Sequence, residues 1–207
     1  MMPLDNSERK FAMLRNLVFS FVLFLITSSP AFSASYKLDT SHTNVIFKIK
    51  HLVFATVTGR FDKFEGIFDF NEKTGEISKL DVKIDANSIN TNEADRDKHL
   101  RSKDFFNVEK YAQIRFKSSK SQVKSKKPVD LRGELSMVGK KKPLTFDIDY
   151  KGTATDPWGN ERLIFEATTT LNRKDFGMNW NKSLDKGGVM IGEEVKVIVE
   201  AQGIKQE

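Results

Sequence analysis

The chain has 207 residues, 34 Lys and Arg against 28 Asp and Glu, a formal charge of +6 and no Cys. That length suits one domain, and 39% hydrophobic with 30% charged residues argue against a membrane-embedded protein. Without Cys there are no disulfides, thiolate nucleophiles, zinc ribbons or iron–sulfur clusters; three His, well separated, leave little for a metal centre, and the modest charge does not by itself imply nucleic acid.

Residues 17–26 form an apolar run of ten, too short for a bilayer span of about 20 residues. Arg9, Lys10 and Arg15 precede it, and Ala31-Phe32-Ser33 follows it with small residues at the minus-three and minus-one positions of a cut after Ser33. A positive flank, a short apolar stretch and a small-x-small site read as a cleaved secretory signal peptide over residues 1–33, with translation starting at Met1 or Met13. The segment holds five of the 17 Phe and three basic against two acidic residues, so residues 34–207 keep twelve Phe and a balance of +5. An exported domain without disulfides must stand by core burial, which is feasible above about 150 residues.

From residue 44 the dominant period is two. Val45/Phe47/Ile49 and Val57/Gly59/Phe61 alternate with polar neighbours, then Phe64/Gly66/Phe68/Phe70 and Leu80/Val82/Ile84/Ala86. Phe61 and Phe64 are out of phase, so a bend or bulge falls at Asp62-Lys63. Thr91–Arg101 breaks the pattern: it lacks an apolar period-two face, starts with cap-type residues and runs from acidic to basic, which predicts one short helix. Period two returns at Ile114/Phe116, Leu131/Gly133/Leu135, Leu144/Phe146/Ile148/Tyr150, Leu163/Phe165/Ala167 and Val195/Val197/Val199. The segments around residues 71–75, 139–143 and 156–160 carry Gly, Pro or Asn at turn positions. Nine amphipathic strands with short turns pack as a sandwich or close into a barrel, and a barrel of about eight strands has room inside for side chains or one small ligand.

Reactive chemistry is sparse. His42 and His51 are nine residues apart, on opposite faces if one regular strand joins them, and make a poor metal pair. No Gly-x-Ser-x-Gly elbow exposes a nucleophile. Lysines cluster at Lys117, Lys120, Lys124, Lys126 and Lys127 and again at Lys140, Lys141 and Lys142. They read as solvated hairpin tips or as a weak contact with anionic membrane surfaces, each Lys contributing about 1 kcal/mol there. Nucleic acid is disfavoured because the aromatics lie on apolar faces, not among the lysines.

Several motifs together resemble the YceI-like family. Asp39-Thr-Ser-His42, Phe47-Lys-Ile-Lys-His51-Leu and Gly59-Arg-Phe61-Asp-Lys-Phe64-Glu-Gly66 are similar to its opening signature, followed in the family's order by Ser88-Ile-Asn-Thr-Asn92. The block Arg96-Asp-Lys-His99-Leu-Arg101-Ser-Lys-Asp104-Phe-Phe106-Asn is its most specific part, and Gly133-Glu-Leu135, Asp156-Pro-Trp-Gly159 and Arg173-Lys-Asp-Phe-Gly177 complete the series. Tyr111-Ala112 departs from the family's usual Tyr-Pro. The resemblance spans roughly Tyr36 to Gln206 and implies an all-β fold: an extended antiparallel lipocalin-like β-barrel of about eight strands, with the short helix inserted near 92–106. It implies a periplasmic or secreted, non-enzymatic binding protein whose lumen holds a long-chain isoprenoid quinone, polyisoprenoid or fatty amphiphile for transport, storage or sequestration. It supplies no catalytic residues, no metal and no cofactor apart from that ligand.

On this reading Phe47, Ile49, Phe61, Phe68 and Phe70 line the lumen together with Ile84, Phe116, Leu135, Phe146 and Phe165, unless these side chains simply fill it. Trp158, Phe176, Met178 and Trp180 form the mouth or plug one barrel end. Arg96, Asp97, His99, Arg101 and Asp104 either anchor the helix, with Asp97–Arg101 as a pair at four-residue spacing, or hold a head group; anchoring is the favoured role. An interaction module with a filled lumen, an enzyme acting on an isoprenoid, and a homodimer stay open as alternatives.

Overall fold

The computed structural model describes residues 33–184 and 187–207. The leader read over residues 1–33 lies, but for Ser33, outside the described residues. The nine alternating segments become hydrogen-bonded strands, joined by two short ones that the alternation does not mark: β1 (Ala34–Leu38), β2 (Asn44–His51), β3 (Ala55–Phe61), β4 (Phe64–Asn71), β5 (Glu76–Asp85), β6 (Ile89–Asn90), β7 (Gln113–Lys124), β8 (Lys127–Met137), β9 (Lys140–Thr155), β10 (Glu161–Asn172) and β11 (Ile191–Lys205), the two being β1 and β6. The helix α1 spans Ala94–Arg101.

Three pairs of these strands are halves of longer ones. A turn at Asp39–Thr43 separates β1 from β2, the bend at Asp62-Lys63 separates β3 from β4, and a 3-10 turn at Ala86–Ser88 separates β5 from β6. The phase break between Phe61 and Phe64 is thus a bend in the chain, as the spacing requires. Counted as continuous strands they number eight, all neighbours antiparallel, and β1 pairing with β11 closes the ring. Tyr36 lies opposite Lys205 and Leu38 opposite Gly203 at that seam. β11 is long enough to pair along one side with β10 and along the other with β2 and then β1.

The barrel has two unlike ends. At one, the base, lie the turns after β4, β7 and β9; at the other, the top, lie the β2–β3 hairpin, α1, the β8–β9 hairpin and the segment between β10 and β11. Inward residues alternate with solvated ones along every long strand, and the buried set is aromatic-rich. Some inward positions are Gly because a ring from the next strand lies across them. A Cβ at Gly133 would fall 2.6 Å from Phe116 Cζ and 2.2 Å from the Lys117 carbonyl oxygen.

Base closure is aromatic. Tyr36 is fully buried and stacks on Phe68 at 5.5 Å between ring centroids, while Phe68 meets Phe165 edge-on at 5.9 Å and Phe70 packs on Tyr150 at 5.8 Å. The Tyr36 hydroxyl donates to Glu161 Oε1 at 2.7 Å, and burial together with that carboxylate pushes its pKa above the ordinary tyrosine value.

Candidate functional site: the barrel lumen

The lumen is hollow. A cavity of about 250 Å³ runs inside the barrel, and every one of the eight long strands contributes to its wall. β11 alone supplies Ile191, Val195, Val197, Val199 and Ala201, so the wall draws on eleven residues of one strand, roughly 30 Å of chain at about 3.3 Å per residue. The cavity's volume lies just under the usual range of about 300–1,000 Å³ for ligand pockets. Its wall is almost wholly apolar, and no Asp or Glu lines it among the described residues.

Eight of the ten residues read as lumen-facing line this cavity: Phe47, Ile49, Phe61 and Ile84 on one side, Phe116, Leu135, Phe146 and Phe165 on the other. Phe68 and Phe70 do not; they belong to the aromatic layer at the base, packed on Tyr36 and Tyr150. They face inward but lie at a different level along the barrel. Of the four residues assigned to a mouth, Met178 lines the cavity and Phe176 is buried beside it without doing so. Trp180 meets His99 edge-on at 4.7 Å and packs at a tilt on Phe105 at 5.5 Å at the top. Trp158 is a correction: its β9–β10 turn is at the base, where the indole is 81% exposed and far from the top.

The top of the cavity is covered by α1 and the segment after it. Leu100, Phe105 and Phe106 point their apolar groups down into it, and Phe61 meets Phe106 edge-on at 5.7 Å. Glu93 caps α1 by accepting from the N–H groups of Asp95 and Arg96, which fits the acidic start of the helix. Anchoring is done through Thr91. Asp97, buried, accepts from Thr91 N–H at 2.9 Å and from its hydroxyl at 2.5 Å, and Arg96 donates to Thr91 Oγ1 and to its carbonyl oxygen, both at 2.8 Å. Arg101 donates to the carbonyls of Asn87 and Ile89, not to Asp97, so the expected pair at four-residue spacing is absent. His99 Nε2 lies 2.9 Å from Asp104 Oδ2.

Arg173 is the residue the sequence reading missed. Arg173 is 2% exposed and lines the cavity, its guanidinium donating from Nε to the Gly192 carbonyl at 2.8 Å and from Nη1 to the carbonyls of Met178 and Trp180. Burial pulls its pKa down while Glu193 pulls it up, and Nη2 has no protein partner. The only sign of it in the sequence is its place at the head of Arg173-Lys-Asp-Phe-Gly177. The polar side chains in the wall therefore gather at the top, where Lys50 is exposed and the His99 side chain is 40% exposed.

His42 and His51 end up at opposite ends of the barrel: His42 Nδ1 lies 2.7 Å from Asp39 Oδ2 at the turn after β1, and His51 lines the cavity at the top. Among the described residues no group of three or more His, Asp or Glu is placed to hold a metal ion. The two lysine clusters do not form one surface, since Lys124, Lys126 and Lys127 are at the base and Lys140 is at the top.

A closed antiparallel barrel of eight long strands around one apolar cavity defines a lipocalin-like barrel. Its sequence matches the YceI-like domain over residues 36–203, and the chain belongs to that family. Protein YceI of Salmonella agona (strain SL483) is 39% identical over 198 residues, covering 94% of this chain and all of that protein. The Campylobacter jejuni YceI protein superposes with a TM-score of 0.66 at 28% identity, over 77% of this chain and 91% of the other. At 18% identity the fold is shared with Burkholderia cenocepacia BcnA, with a TM-score of 0.67 over 80% of this chain and 98% of that one. It is shared too with a polyisoprenoid binding domain from Saccharophagus degradans, with a TM-score of 0.62 over 84% and 99%.

Proposed function

We propose that this protein is an exported, non-enzymatic carrier that holds one long apolar chain, of the isoprenoid quinone or polyisoprenoid class, inside the barrel. The observation that carries this reading is the cavity itself: lined along β11 from Ile191 to Ala201 and walled by apolar groups from every long strand. Burying each CH₂ contributes about 0.8 kcal/mol, so a chain of several isoprene units is held tightly without polar contacts. Binding is supported over turnover by the state of the polar groups at the top: Arg96 is engaged with Thr91, His99 with Asp104, and Arg173 with three carbonyls. No nucleophile and base converge on the lumen among the described residues.

The chain enters tail first and the head group stays at the top, because the base is closed by Tyr36, Phe68 and Phe70 and offers a head group nothing. Selectivity on this reading is for length and width, and head-group identity matters little. The leader over residues 1–33 directs the protein to the periplasm or the exterior, where such chains are otherwise confined to membranes. Mass spectrometry of an organic extract of the purified protein tests the reading, together with titration by isoprenoid alcohols of rising length. Affinity is expected to climb with each added unit and level off once the cavity is filled. Absence of any co-purifying amphiphile together with no uptake of added isoprenoids overturns it.

A further inference from the structure

The β2–β3 hairpin turns on Leu52, Val53 and Phe54, which are 43%, 52% and 89% exposed. Val189, 42% exposed, lies in the neighbouring segment, which is tied to the hairpin by the Leu52 N–H donating to the Met190 carbonyl at 2.8 Å. The other hairpins place Gly75, Gly139 and Gly159, together with Ser125, Lys126 and the half-buried Val138, at positive φ, and each exposes at most one large apolar side chain, Trp158 in the turn after β9. In the β2–β3 turn Leu52 and Val53 take that conformation with exposed side chains, at φ 49° and 68°. A β-branched side chain in the left-handed region is strained. The β2–β3 turn thus combines an unfavourable backbone at Val53 with three consecutive apolar side chains held outward.

Two further features say what they meet. Lys48 and Lys50 of β2 and Lys182 of the neighbouring segment are exposed around the tip, and no described carboxylate forms an ion pair with them. Lys50 and His51, immediately before the tip, also line the top of the cavity. A convex apolar tip with a basic collar suits the fluid boundary of an anionic bilayer, where apolar side chains sink and lysines stay at the head groups; a protein partner would need a pocket of matching shape.

We propose that Leu52, Val53 and Phe54 insert into the interface of an anionic lipid bilayer and set the mouth of the cavity against it, so that an apolar chain passes between membrane and lumen without crossing water. This rests on the reading of the lumen as a lipid site. The test is flotation of the purified protein with vesicles of phosphatidylethanolamine and phosphatidylglycerol, and with vesicles of phosphatidylcholine alone, alongside Phe54→Ser and Val53→Ser. Both variants change exposed side chains, and unaltered thermal unfolding checks that they fold. Wild type is expected to float with the anionic vesicles more than with the neutral ones, and Phe54→Ser to partition about tenfold less. Transfer of a short-chain isoprenoid quinone from vesicle to protein slows in the same proportion, while uptake of that quinone from detergent is unchanged. Failure of wild type to float, equal partition of Phe54→Ser, or a wild-type dimer that Phe54→Ser dissolves in sedimentation overturns the proposal; the last outcome makes the tip a contact between two copies. Quinone uptake from detergent that fails in both proteins strikes the lumen reading, and flotation is scored independently of it.

Discussion

Arg162 shows how single groups set the limits of this barrel. Its guanidinium joins Asp39, at the turn after β1, to Asp156, in the turn before β10, and also reaches Gln202 of β11. Burial pushes the Asp39 carboxyl up, but Arg162, His42 and Ser41 outweigh it and hold it well below the usual carboxylate range. The Asn160 side chain, with Arg162 and the Trp158 N–H, holds Asp156 down at about 2. A carboxylate depressed in the folded state contributes stability above its unfolded pKa of about 4 and loses that contribution as pH falls through the folded value. Denaturant unfolding across an acid series is therefore expected to show stability declining below about pH 5, with a shallower decline in Asp39→Asn, which starts less stable near neutrality. Two other residues pull in opposite senses. Val53→Gly relieves a strained turn and is expected to raise stability by about 1 kcal/mol. Gly133→Ala drives a methyl into Phe116 and the Lys117 carbonyl and is expected to lower it by roughly 1–3 kcal/mol. Urea denaturation measures both.

At the level of elements, the strands were legible because half-buried β-structure writes itself in period two, and the misphased Phe61 and Phe64 were enough to locate the bend between β3 and β4. The hairpin joining β2 to β3 was not legible. Turns are recognised by Gly, Asn and Pro, and Leu52-Val53-Phe54 contains none of them. The helix was legible in place and polarity, but not in its fastening: four-residue spacing suggested Asp97 with Arg101, whereas Asp97 turns back to Thr91 and Arg101 reaches two backbone carbonyls. Spacing along one helix says which side chains share its face and is silent about a neighbouring strand that offers better partners. Asp97→Ala leaves the Thr91 N–H and hydroxyl unpaired in a buried site and is expected to cost about 1–3 kcal/mol, read as a lower midpoint in thermal unfolding. Arg173 escaped notice for a related reason, since a lone guanidinium reads as surface until three carbonyls are seen to surround it.

For the molecule as a whole, period two separates inside from outside and carries no information about depth along the barrel axis. Phe68 and Phe165 look equivalent in sequence, yet Phe68 belongs only to the base layer while Phe165 both touches it and lines the cavity. The same blindness grouped Trp158 with Phe176, Met178 and Trp180 at one end, although its turn lies at the base. Depth becomes visible only when strand pairing is known, because each turn is then assigned to an end. The hollow also predicts how the protein responds to being filled. Val197 faces the cavity from β11, so Val197→Phe places a ring in empty space and is expected to leave stability within about 1 kcal/mol. The same change blocks the passage and is expected to weaken uptake of a long isoprenoid about tenfold, measured by ligand titration. β11 has one more consequence. It is the last strand of the chain, and it pairs with β10, β2 and β1 at once. Without residues 191–205 the remaining strands make an open sheet with two unsatisfied edges, β10 on one side and β1 with β2 on the other. The interior is bounded only when residues 191–205 complete the ring, so the compartment exists only in a chain whose β11 has paired on both of its sides.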